Sequence, residues 1–163
     1  MKKFELTEET KTVNGTVLHQ IRALVNIEHV GVVAGDLGGW LEKEENLSQN
    51  NSSWVSGDGS VFGNGRVSGD GWVFGDGRVS GDGSVSGNGQ VFENGWVSDD
   101  GRVSGDGWVF GNGRVFGNGW VSDDGRVSGN GSVFGDGRVS GDGSVSGNRS
   151  VFGDEKFSEG VRK

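Results

Sequence analysis

The chain contains no cysteine, so neither a disulfide nor a thiolate metal site can brace it, and its redox compartment leaves no mark in the sequence. No stretch approaches membrane-spanning length, and Met1-Lys2-Lys3 runs into Phe4-Glu5-Leu6-Thr7-Glu8-Glu9, which puts acid where a signal peptide needs an apolar run. A cytoplasmic location is the expectation, with leaderless export as the other route. Histidine is limited to His19 and His29, and every threonine lies at or before Thr16, which removes the threonine-rich face that ice binding would favour. Aliphatic residues are also too few, beside 35 glycines in 163 residues, to fill an ordinary globular core.

What is present is a period. From Val55 to Val151 a valine recurs every six residues, in units such as Val55-Ser56-Gly57-Asp58-Gly59-Ser60. A fixed short period means that each unit buries its valine against copies of itself, as in a solenoid. Disordered glycine-rich tracts have no such period and no six tryptophans, so the chain is expected to be ordered. Valine and the second glycine of each hexad lie four apart and face one side of an extended segment, whereas Gly-Asp/Asn-Gly is turn chemistry. Each hexad therefore reads as a short strand plus a corner.

Arginine ends alternate hexads at positions 66, 78, 102, 114, 126 and 138, with Gln90 in the gap, and tryptophan takes intervening hexads at 72, 96, 108 and 120. A flat coil of two hexads would stack the arginines about 4.8 Å apart, an unfavourable arrangement of like charges. Three hexads, eighteen residues, exchange the two classes at each step: one column reads Arg78, Trp96, Arg114 and another Arg102, Trp120, Arg138. Guanidinium against indole contributes about 0.5–1 kcal/mol per exposed contact. At the second hexad position the same spacing gives an all-serine column from Ser68 to Ser158 and two phenylalanine columns, Phe74, Phe92, Phe110 and Phe116, Phe134, Phe152. Duplication of twelve-residue blocks would also produce the arginine period, so the two-sided coil stands as the alternative.

The valine-led hexad with a small residue four places on resembles the hexapeptide repeat of left-handed parallel β-helices, with glycine in place of the usual alanine, serine or threonine. That resemblance supplies the left-handed winding. At Gly35-Asp36-Leu37-Gly38-Gly39-Trp40-Leu41-Glu42-Lys43-Glu44-Glu45-Asn46-Leu47-Ser48-Gln49, followed by Trp54-Val55, the chain resembles the junction of YdcK-like hexapeptide-repeat proteins of bacteria and their phages, often assigned as acetyltransferases on fold alone. The expected fold is all-β, a single-stranded left-handed parallel β-helix with a triangular coil of eighteen residues and a small N-terminal β cap. Residues 1–54 are expected to form the cap and junction, 55–154 the repeat, and 155–163 a C-terminal cap or tail. In the cap, Lys3 to Leu6 and Thr16 to Val25 read as strands about an Asn14-Gly15 turn. At the far end Arg149 and Glu155 replace the inward glycine, and the coil is expected to loosen there.

Acyltransferases on this fold typically use a histidine base and loops that interrupt the repeat; here both histidines lie in the cap and the hexads carry no insertion. No catalytic, cofactor or metal residue is assigned. Asp70, Asp106, Asp124 and Asp142 share one corner column with Asn88, but the calcium-binding solenoid repeat has nine residues, and solvated corners are the expectation. Asn94, Asn112, Asn130 and Asn148 are expected to form amide ladders.

Candidate contact residues are Phe74, Phe92, Phe110, Phe116, Phe134 and Phe152, with Trp72, Trp96, Trp108 and Trp120 and with Arg78, Arg102, Arg114 and Arg138, the residue types that mark interaction surfaces. The alternative for the phenylalanines is that they pack flat on their own coil edges. The expected function is a non-enzymatic interaction scaffold for a protein partner or for itself, with a glycan as a weaker candidate and no membrane contact. Direct binding to nucleic acid is disfavoured by the net charge of −8. Two alternatives are an acidic mimic of DNA that inhibits a nuclease or defence factor, against which the six ordered arginines argue, and a trimeric acyltransferase.

Overall fold

Within the repeat each hexad supplies a two-residue strand, an outward residue followed by an inward valine, as in Arg78–Val79, Ser84–Val85 and Gln90–Val91. A corner follows, closed by a turn bond such as Gly83 N–H to the Ser80 carbonyl at 3.0 Å. The first corner glycine takes positive φ (+58° at Gly81), a region that costs an L-residue about 1–2 kcal/mol. Glu93, Asp99 and Asp123 occupy it without being glycine, and the Glu93 carboxylate accepts the N–H of Gly111 in the next coil at 2.8 Å.

The computed structural model describes residues 1–162 and stacks these units at eighteen residues per coil. Arg78 pairs in parallel with Trp96 and Trp96 with Arg114; Arg102 pairs with Trp120 and Trp120 with Arg138. The three-sided coil is therefore the arrangement adopted, and no arginine in these columns lies on another arginine. Three parallel sheets result. Face I carries Ser60, Arg78, Trp96, Arg114, Ser132 and Ser150; face II carries Arg66, Ser84, Arg102, Trp120, Arg138 and Lys156; face III carries Trp54, Trp72, Gln90, Trp108, Arg126 and Ser144.

Inside, every repeat valine from Val55 to Val151 is buried on its copies, each burial favouring the fold by roughly 1.5–3 kcal/mol. The second corner glycine is held small chiefly by backbone, with a valine methyl equally near at Gly71, Gly89 and Gly107. A Cβ at Gly95 would stand 2.4 Å from the carbonyl oxygen of Val109, fourteen residues on, and one at Gly101 2.5 Å from that of Val115.

At the C-terminal end the corners loosen as expected, since the turn bond made in every earlier hexad is not formed at Arg149 and is 3.3 Å at Glu155, whereas the ladder between coils does not. No described valine lies fourteen residues beyond Arg149 or Glu155, and Arg149 is exposed. The ladder continues through both, with Ser132 N–H on the Arg149 carbonyl and Arg138 N–H on the Glu155 carbonyl, each at 2.9 Å. Tightening comes only later: Ser144 pairs with Val161, seventeen residues on instead of eighteen.

At the other end strands β1 (Phe4–Val13) and β2 (Thr16–Ala23) form an antiparallel hairpin. Its turn is Asn14-Gly15, both residues at positive φ, as two-residue hairpins require. β1 runs well past Leu6, with an irregularity between Leu6 and Thr10 that twists this edge strand away from regular pairing. β2 pairs antiparallel with β3 (Leu37–Leu41), whose other edge pairs in parallel with Ser60–Val61. The hairpin thus extends face I. Leu41 beside Val61, Leu47 beside Val67 and Val55 beside Val73 make the junction residues the first coil of the stack.

Candidate binding surfaces

Outward side chains repeat with the coil, so any surface site recurs along a face. Phe74, Phe92 and Phe110 stack at 4.8 and 4.9 Å with planes within 4° of parallel, and Phe116, Phe134 and Phe152 stack at 4.9 and 5.5 Å. Both expected phenylalanine columns are present as ring ladders. The rings also pack along the coil edge: Trp72 lies 4.3 Å from Phe74, and Trp108 meets Phe92 edge-on at 6.1 Å. Most of these rings are half-buried, and Phe152, the end of its ladder, is 55 % exposed.

The arginine and tryptophan columns stand as expected, but the cation–π contacts are one-sided. Arg114 lies over the Trp96 ring at 5.7 Å and Arg138 over Trp120 at 5.2 Å, each from the following coil. Arg78 and Arg102 share the columns from the preceding coil. A third contact, Arg126 over Trp108 at 5.0 Å, joins residues of face III that the sequence reading did not pair.

Sequence reasoning also missed what fixes the indoles. Trp72, Trp96 and Trp120 each donate Nε1–H to the serine sixteen residues before, Ser56, Ser80 and Ser104, at 2.9–3.0 Å. The signal was legible: the residue sixteen before these tryptophans is always serine, whereas Trp108 has Phe92 there and makes a ring contact instead.

Corner side chains form ladders of their own. Asn112 donates to Asn130 and Asn130 to Asn148, at 3.2 and 2.9 Å, so three of the four asparagines expected to ladder do so. Asn64, Asn88 and Asn118 donate to Asp82, Asp106 and Asp136. Among the described residues no three His, Cys, Asp or Glu side chains converge as metal ligands would. His19 sits in β2 with Nδ1 3.1 Å from the Thr7 carbonyl, and His29 is exposed in a single 3-10 turn.

Two shallow clefts run beside the columns. One, about 220 Å³, is lined by Arg102, Trp120 and Arg138 along face II and by Asp100, Asn118 and Asp136 along the corner. The other, about 370 Å³, repeats it twenty-four residues earlier on face I with Arg78, Trp96 and Arg114 against Asp76, Asn94 and Asn112. Each is open to solvent, and none of these four arginines forms an ion pair or side-chain hydrogen bond with a described residue.

No helix of the described residues is long and apolar enough to cross a membrane. No protein-family model matches the sequence, and comparison with curated proteins finds no match.

Proposed function

We propose that the protein is a non-enzymatic binding scaffold, a three-faced solenoid that presents aromatic and arginine columns to a protein partner or to a second copy of itself. The observation that carries this reading is the pair of phenylalanine ladders, held at fixed spacing by the backbone and flanked by tryptophan and arginine. Such residue types dominate the energetics of protein interfaces, and a frame that orders them beforehand lowers the entropy lost on binding. Five half-buried rings and the exposed Phe152 present less than the roughly 800 Å² per partner of a stable interface, so the neighbouring arginine and tryptophan columns complete the surface. The junction's likeness to YdcK-like hexapeptide-repeat proteins, with a phage association and a cytoplasmic setting, belongs to the same reading.

Sedimentation over a range of concentrations tests the self-association arm, and capture from a cell extract tests the partner arm. Phe92→Ser with Phe134→Ser is expected to abolish association while leaving circular dichroism unchanged. Association and capture that are both indifferent to the double substitution would remove the ladders from the interface.

A further inference from the structure

We propose that the two arginine–tryptophan–arginine clefts are binding sites for a neutral polyhydroxylated ligand, a saccharide ring. This goes beyond the protein-interface reading, which rests on the phenylalanine ladders, and either can fail alone.

The first support is chemical. Each cleft sets guanidinium donors on the sheet against carboxylate or amide acceptors on the corner, Arg102 and Arg138 facing Asp100 and Asp136 in one and Arg78 and Arg114 facing Asp76 in the other. Although aspartate precedes arginine by only two residues in Asp76-Gly77-Arg78, Asp100-Gly101-Arg102 and Asp136-Gly137-Arg138, none of these pairs closes into an ion pair. A group that spans such a gap must donate to one wall and accept from the other, which a hydroxyl does. A phosphate or carboxylate accepts only and would meet the aspartates; an ammonium donates only and would meet the guanidiniums. The face II cleft holds two acids and two bases, so it favours neither sign.

The second support is preorganisation. The Trp120 indole is tied to Ser104 at 2.9 Å and covered by Arg138, and the Asn118 amide is tied to Asp136 at 3.1 Å, with the same tie from Trp96 to Ser80 in the other cleft. An indole edge and, in the face II cleft, an amide and a carboxylate are fixed in place and line a hollow large enough for a sugar ring. A peptide strand also donates and accepts, but its step of about 3.4 Å per residue does not match rungs about 4.8 Å apart.

Face III supplies an internal control. Its column reads Gln90, Trp108, Arg126, with glutamine where the other two columns have their first arginine.

The test titrates cellohexaose, chitohexaose and mannohexaose separately into the full chain by calorimetry, with heparin and poly-glutamate as charged comparisons. At least one neutral oligosaccharide is expected to bind at two sites per chain with an affinity little changed by salt, because no net charge is neutralised. Arg102→Ala with Arg138→Ala is expected to weaken one site by about tenfold or more with unchanged circular dichroism. Asp100→Asn with Asp136→Asn should weaken the same site, and Gln90→Arg should add a third. Saturation by none of the three sugars, binding confined to the charged polymers and lost at high salt, or sugar binding indifferent to all these substitutions would overturn the proposal. Loss of sugar binding with association intact leaves the scaffold reading standing.

Discussion

The cap and the repeat hold one solenoid by different means. In the cap unlike side chains meet once: Phe4 lies edge-on to Trp54 at 6.5 Å, Gln49 accepts the Lys3 N–H at 2.7 Å, and the buried Asn46 amide donates to the carbonyls of Gly63 and Gly65. In the repeat one valine meets its own copies, and the backbone ladder supplies the remaining contacts. Sliding the repeat by a whole coil leaves valine on valine and glycine under carbonyl, so its interior scarcely distinguishes the two registers. The junction does distinguish them, because that slide would replace the buried Ser60 beside Trp40 with Arg78 and the Trp72 beside Trp54 with Gln90. Register is therefore set at one end and only transmitted by the rest.

The hardest blow to this contrast is Trp54→Ala, which empties a fully buried site where cap and first coil join. It is expected to cost about 4 kcal/mol in denaturant unfolding and to lower hydrogen-exchange protection first at the N-terminal coils. Gly95→Ala attacks the other side by driving a Cβ into the Val109 carbonyl; a loss of about 3 kcal/mol is expected, with protection falling on both sides of the lesion while the cap stays intact. If both lesions melt the chain uniformly, the division between register-setting end and register-transmitting stack is wrong.

A pH series sharpens the comparison further. The Lys3 ammonium donates to the Ser53 carbonyl at 2.6 Å, and burial pulls its pKa from 10.5 to about 8, against the opposing pull of Asp70. In the unfolded chain the amine keeps its proton up to 10.5, so between about 8 and 10.5 the unfolded state binds more protons and stability rises with pH. Below that window the folded state carries the whole cost of burying the charge. Lys3→Met is expected to reduce the rise, leaving the part that comes from Lys11, whose pKa burial also lowers, and an unchanged slope would place the titration elsewhere. Smallest is Ser104→Ala, which removes the acceptor of the Trp120 indole and is expected to cost about 1 kcal/mol with register unchanged.

The coil size was legible because charge made it so: arginine at a period of twelve is tolerable only where a neighbour of another class intervenes, and Trp96 between Arg78 and Arg114 does that. The bond from indole to serine is diagonal, joining residues sixteen apart, and an eighteen-residue period shows only the neighbours directly above and below. The shared face of valine and glycine is visible in the spacing, whereas the obstacle at Gly95 is a carbonyl fourteen residues away, which no spacing of side chains reveals. In the cap nothing repeats. The pairing of β2 with Leu37–Leu41 and the length of β1 depend on single contacts among unlike residues, and local pattern does not specify those.

An odd number of sides has a consequence for inheritance. Removing one hexad between Arg78 and Trp96 would leave the valine interior whole yet set Arg102 on Arg78, so a frame error of six would leave the inside unharmed and scramble the outside. Loss of a single coil keeps each residue on its own face yet sets Arg114 on Arg78, so only a pair of coils restores both face and alternation, which makes the coil pair, not the hexad, the smallest unit by which such a chain can grow and keep what it displays.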